Sequence, residues 1–99
     1  LLSYGMLEKR AMPAKVHLSS HVRSYTGGQA SVEAEGDTLF AVMADLERRY
    51  PGIRFRVVDE QDRIRPHMNF FVGGVLARDL RQPIRPGEEV FILGSLSGG

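Results

Sequence analysis

Leu39, Val42, Met43, Leu46 and Tyr50 recur at three- and four-residue intervals, the spacing of one apolar face of an α-helix. On both sides of that segment the apolar period is two, and a helix flanked by alternating strands must pack across a sheet to bury its stripe. Lys15 to Arg23 alternates, with Val16, Leu18, Ser20 and Val22 on one face and Lys15, His17, Ser19 and His21 on the other, which predicts a first strand. Tyr25-Thr26-Gly27-Gly28 is turn chemistry. Ala30, Val32 and Ala34 then resume the alternation against Gln29, Ser31, Glu33 and Glu35, so a hairpin is expected.

Asp37 or Thr38 offers the helix N-cap, and a helix of about twelve residues follows. Asp45, Glu47, Arg48 and Arg49 are expected on its wet side, the two arginines near the C-terminal end of the dipole, and Pro51-Gly52 ends it. Residues 53–67 scatter Ile53, Phe55, Val57 and Val58 among charges and show no period; a short strand or a turn of helix is compatible with them. Asn69-Phe70-Phe71-Val72 is a strand of bulky β formers, and Gly73-Gly74 turns it into Val75-Leu76-Ala77. Pro86-Gly87 marks another turn before Glu89-Val90-Phe91-Ile92-Leu93, the last strand. The order argues an α+β domain over residues 14–93 with a mixed sheet of four to five strands, an N-terminal extension over residues 1–13, and a flexible tail over residues 94–99. Met12-Pro13 is a candidate native start.

Composition removes several functions. At 99 residues the chain holds one modest core. Thirteen Lys and Arg against twelve Asp and Glu leave a formal charge of +1, so no global field draws it to nucleic acid or membrane. Without cysteine it has no thiolate chemistry, and cytoplasm is the default compartment. No Gly-x-x-x-x-Gly-Lys loop, Gly-x-Ser-x-Gly elbow or Cys-x-x-Cys pair occurs; no cofactor or catalytic residue is expected. His17 and His21 would make a metal pair on a helix, but on a strand they stand about 13 Å apart and read as exposed histidines. His67 has no companion at a recognisable spacing. Arg54, Arg56, Arg63 and Arg65 are interrupted by Asp59, Glu60 and Asp62, the pattern of a solvated loop rather than of a nucleic-acid site. Arg78, Arg81 and Arg85 could meet acidic residues of a partner.

Taken together, the ββαββ order, Asp37-Thr38-Leu39, Tyr50-Pro51-Gly52, Asn69-Phe70-Phe71-Val72-Gly73-Gly74, Pro86-Gly87-Glu88-Glu89-Val90 and the ending Gly98-Gly99 resemble the MoaD/ThiS family of β-grasp sulfur carriers. Tyr25-Thr26-Gly27-Gly28-Gln29 further resembles its CysO branch. One departure is plain: Gly94-Ser95-Leu96-Ser97 stands where family members often carry Pro-Ala ahead of the diglycine. The resemblance implies that an ATP-dependent adenylating and sulfurtransferase enzyme activates the Gly99 carboxylate. Sulfur then displaces AMP, and the thiocarboxylate passes to an acceptor synthase of the cysteine synthase, molybdopterin synthase large subunit or thiazole synthase type.

The residues themselves suit such chemistry. Residues 94–99 extend about 20 Å at roughly 3.3 Å each, far enough to thread a partner's channel, with Leu96, Ser97 and Gly98 as the threading segment. Gly98 and Gly99 lack Cβ, so the chain passes a narrow slot and the acyl carbon is unhindered. A carboxylate with an ordinary pKa of about 3.5 is ionised at neutral pH and a poor acyl donor, hence the need for ATP. Small terminal residues also arise as simple fraying. A ubiquitin-like modifier or plain interaction domain is the alternative reading. If Phe70, Val72, Val90 and Ile92 face the helix, Phe71, Phe91 and Leu93 share the opposite sheet face, either as a partner-docking surface beside the tail or as a bed for residues 53–67.

Overall fold

A computed structural model describes residues 13–94. Strands β1 (Ala14–Leu18), β2 (Ser31–Ala34), β3 (Met68–Val72), β4 (Val75–Ala77) and β5 (Val90–Gly94) are accompanied by helices α1 (Leu39–Arg49) and α2 (Ile53–Val57). They form one sheet in the order β2-β1-β5-β3-β4. β1 runs antiparallel to β2 and parallel to β5, while β3 is antiparallel to both β5 and β4. This is the β-grasp architecture expected from the sequence, with all five strands and a second short helix beside the main one. The last strand is also the central one.

The period-two pattern decides which face is covered. Val16, Leu18, Val32, Ala34, Phe70, Val72, Val90 and Ile92 are buried and share one core with Leu39, Val42, Met43 and Leu46 of α1 and Ile53 and Val57 of α2. Each large side chain buried there contributes about 1.5–3 kcal/mol. Thr38 caps α1, its hydroxyl accepting from the Ala41 amide at 3.1 Å. The Leu39 and Phe40 amides, which have no partner within the helix, donate to the Gln82 and Leu80 carbonyls at 3.0 and 2.8 Å. Gly73 and Gly74 both take positive φ, 57° and 85°, the type I′ geometry whose twist suits the β3–β4 hairpin.

Two expectations are corrected. The first strand stops at Leu18 instead of running to Arg23: the Val22 amide folds back on the Ser19 carbonyl at 3.0 Å, and a 3-10 turn follows over Arg23–Thr26. Val22 is nevertheless buried, which keeps the phase of the alternation past the end of the strand. Asp45 is on the covered side, 8% exposed, not on the wet side. It accepts from the Glu35 amide at 2.8 Å and from Arg49 Nε at 2.8 Å, and also pairs with Arg48, tying the end of β2 to α1. Burial is the largest influence on its carboxyl and pushes the pKa up; the Glu35 amide and the two guanidiniums together outweigh it and leave the value lowered.

The unreadable stretch contains α2, a single helical turn whose own N-cap residue, Gly52, has no side chain to cap it. Glu47, on α1, supplies the cap by accepting the Gly52 and Arg54 amides at 3.0 Å each, and those bonds, the Gly52 one first, lower its pKa. Charges of α2 and of the loop beyond it pair locally, Arg54 with Asp62 and Arg63 with Asp59.

Candidate functional site

Adjacent positions on neighbouring strands place side chains on the same face. His17 pairs in register with Phe91, Phe91 with Phe71, and Phe71 with Leu76, so one row crosses β1, β5, β3 and β4 on the face opposite α1 and α2. Leu93 lies one row further along, opposite Asn69. Phe71 and Phe91 are half-buried, and Leu76 and Leu93 are 38% and 36% exposed. The pairing therefore places Phe71, Phe91 and Leu93 on the face opposite the buried row of Phe70, Val72, Val90 and Ile92, as expected. Leu76 extends the patch and was missed because its strand is only three residues long, too short to show a period.

The patch has a polar border. The His17 ring stacks on Phe91, centroids 4.3 Å apart and planes at 14°, and its Nε2 donates to Glu89 at 2.6 Å. In the sequence His17 reads as an exposed strand histidine; its contact with Phe91 depends on the parallel pairing of the first and last strands, which no local spacing reveals. His21, read as its strand neighbour, is instead half-buried in the turn after β1, beside the far end of β5.

That end is the second part of the site. Gly94, paired with Met68 across the sheet, is the last described residue, and its amide donates to Ser19 Oγ at 2.9 Å. The tail residues Leu96, Ser97, Gly98 and Gly99 lie outside the described residues. Leu93 immediately precedes Gly94, so the apolar patch and the root of the tail are contiguous in the chain and in the sheet.

Among the described residues no group of three or more His, Cys, Asp or Glu is placed to hold a metal, and no helix is long and apolar enough to cross a membrane. Arg78, Arg81 and Arg85 are exposed, Arg81 reaching Asp79.

The sequence model of the ThiS family matches residues 16–99. The chain belongs to the ThiS family. It is 39% identical over 93 residues to the sulfur carrier protein CysO of Mycobacterium tuberculosis (strain H37Rv), a match covering 89% of this chain and 100% of that protein. The crystal structure of Mycobacterium tuberculosis CysO superposes with a TM-score of 0.78 at 35% identity, covering 84% of this chain and 99% of that one. A chain of the BexX/CysO complex of Amycolatopsis orientalis gives 0.79 at 30% identity, covering 87% and 99%.

Proposed function

We propose that this ThiS-family chain is a sulfur carrier whose reactive group is the Gly99 carboxylate. In this reading the carboxylate attacks the α-phosphate of ATP in the pocket of an adenylating enzyme and pyrophosphate leaves. A sulfur nucleophile then adds to the acyl carbon and AMP leaves, producing a thiocarboxylate. A thiocarboxylate is a soft, exposed nucleophile that an acceptor synthase can consume, and the likeness to CysO favours a synthase making cysteine. The carrier presents the group and its partners perform the catalysis, which fits a cytoplasmic biosynthetic protein.

One observation supports this most strongly: the family match runs through Gly99, and the whole length of the CysO relative is covered. The geometry supplies a physical route. β5 is central, so the chain leaves the sheet from its most firmly held strand, and a docked partner would receive the tail in a fixed position relative to its own pocket. Phe71, Phe91 and Leu93, with Leu76, form the docking surface for the activating enzyme: a half-exposed apolar centre with the His17–Glu89 pair at its rim is the pattern of a protein interface. The CysO relative that is crystallised with BexX makes a second protein a reasonable occupant of this chain as well.

Deleting Gly99, or replacing Gly98 with Trp, should abolish carrier-dependent ATP–pyrophosphate exchange by the activating enzyme while leaving circular dichroism and melting temperature unchanged. A Gly99-deleted chain activated at the normal rate would refute the assignment of the reactive group.

A further inference from the structure

β1 and β5 run parallel, and their ladder continues one bond past the strand: the Ser19 amide donates to the Ile92 carbonyl at 3.0 Å. The next donor from β5 on that side is the Gly94 amide. Its backbone acceptor is missing, because the chain after Ser19 turns away and the Ser19 carbonyl is taken by the Val22 amide at 3.0 Å. Ser19 Oγ fills the gap, accepting the Gly94 amide at 2.9 Å. A side chain thus replaces the main chain for the last bond before the tail.

The same turn puts His21 over Gly94. A Cβ at position 94 would stand 3.0 Å from His21 Nδ1, 3.4 Å from Met68 Sδ and 3.5 Å from Ser19 Oγ. Gly94 is not among the glycines with positive φ, so its backbone does not demand glycine; a side chain there would press on the imidazole, which would have to shift by a few tenths of an ångström. His21 Nδ1 is itself buried and has no hydrogen-bond partner among the described residues. The ring therefore acts on Gly94 as a wall and not through a polar link.

We propose that Ser19 and His21 are positioning residues that set the direction in which the tail leaves β5, Ser19 by holding the Gly94 amide and His21 by closing the space a side chain at position 94 would use. The inference rests on the carrier reading above. Its consequence is that the activating enzyme meets a carrier whose Gly94 backbone is already held, so that less orientational freedom is lost when the terminus enters its pocket. Neither residue approaches the reacting carboxyl.

The test uses the full chain with its activating enzyme and two readouts. Amide hydrogen exchange at Gly94 should accelerate in Ser19→Ala and stay slow in Ser19→Thr, which keeps the hydroxyl. In ATP–pyrophosphate exchange, loss of one hydrogen bond should raise the KM for the Ser19→Ala carrier about three- to tenfold with kcat within about twofold, and Ser19→Thr should restore it. Gly94→Ala should raise KM as well, and Gly94→Ala combined with His21→Ala should recover part of the loss by reopening the space. A general loss of fold would raise exchange at many amides and would not be rescued by threonine. Wild-type carrier that is activated, with a Ser19→Ala KM unchanged, overturns the inference alone; wild-type carrier that is never activated overturns the carrier reading and the inference with it.

Discussion

The two faces of one sheet have opposite fates. Phe70 and Phe71 are neighbours on β3, yet Phe70 is wholly buried under the helices and Phe71 is half-buried on the open face. Val90 and Ile92 against Phe91 and Leu93 repeat the contrast on β5. Two large apolar residues of the same strand therefore contribute differently: one stabilises the fold by filling a dry core, the other leaves apolar surface in water. The aromatic row that the core leaves on the open face is the surface proposed above for a partner.

That contrast can be broken in order of size. Phe70→Ala should lower stability by about 3–5 kcal/mol through the cavity it leaves, read as a large drop in denaturation midpoint. If Phe71→Ala cost as much, the open face would be part of the core and the docking assignment would fail. Asp45→Ala, which leaves the Glu35 amide and two guanidiniums without their acceptor, should cost about 2 kcal/mol. Because the Asp45 pKa is lowered in the fold, its contribution is fully present above the unfolded value of about 3.9 and is lost as pH falls through the lower folded value. Wild type and Asp45→Ala should accordingly converge in stability on acidification; curves that stay parallel down to the acid transition would show that the carboxylate is not the cause. Thr38→Ala should cost about 1 kcal/mol by uncapping α1. Leu93→Asp should change stability by less than about 1 kcal/mol while weakening binding to the activating enzyme about tenfold or more. Equal binding by that variant would move the interface elsewhere.

The sequence made the covered face legible because both of its periods are long enough to count: α1 spans three turns, and β3 and β5 each alternate over five residues. Gly73-Gly74 was readable because positive φ at two consecutive positions has few other sources. What stayed hidden depends on partners distant in the chain. The cap of α2 comes from Glu47 on the preceding helix, the stack of His17 on Phe91 from the pairing of first and last strands, and the Gly94 bond from a serine 75 positions away. The end of β1 was misplaced for a related reason, since Val22 returns to the core after a turn and keeps the phase of a strand that has already finished. Asp45 was assigned to the wet side because a carboxylate on a helix is usually solvated, and only the amide and the two arginines around it make burial tolerable.

The proposed modification is the exchange of one carboxyl oxygen of Gly99 for sulfur. Intact-mass spectrometry of the chain, purified after co-expression with its activating enzyme and a sulfur source, tests it directly. The predicted spectrum shows the mass change of one oxygen replaced by one sulfur, confined to the C-terminal fragment and absent when ATP-dependent activation is disabled. An unmodified terminus under those conditions, or Gly99 found instead in isopeptide linkage to lysines of other proteins, would contradict it.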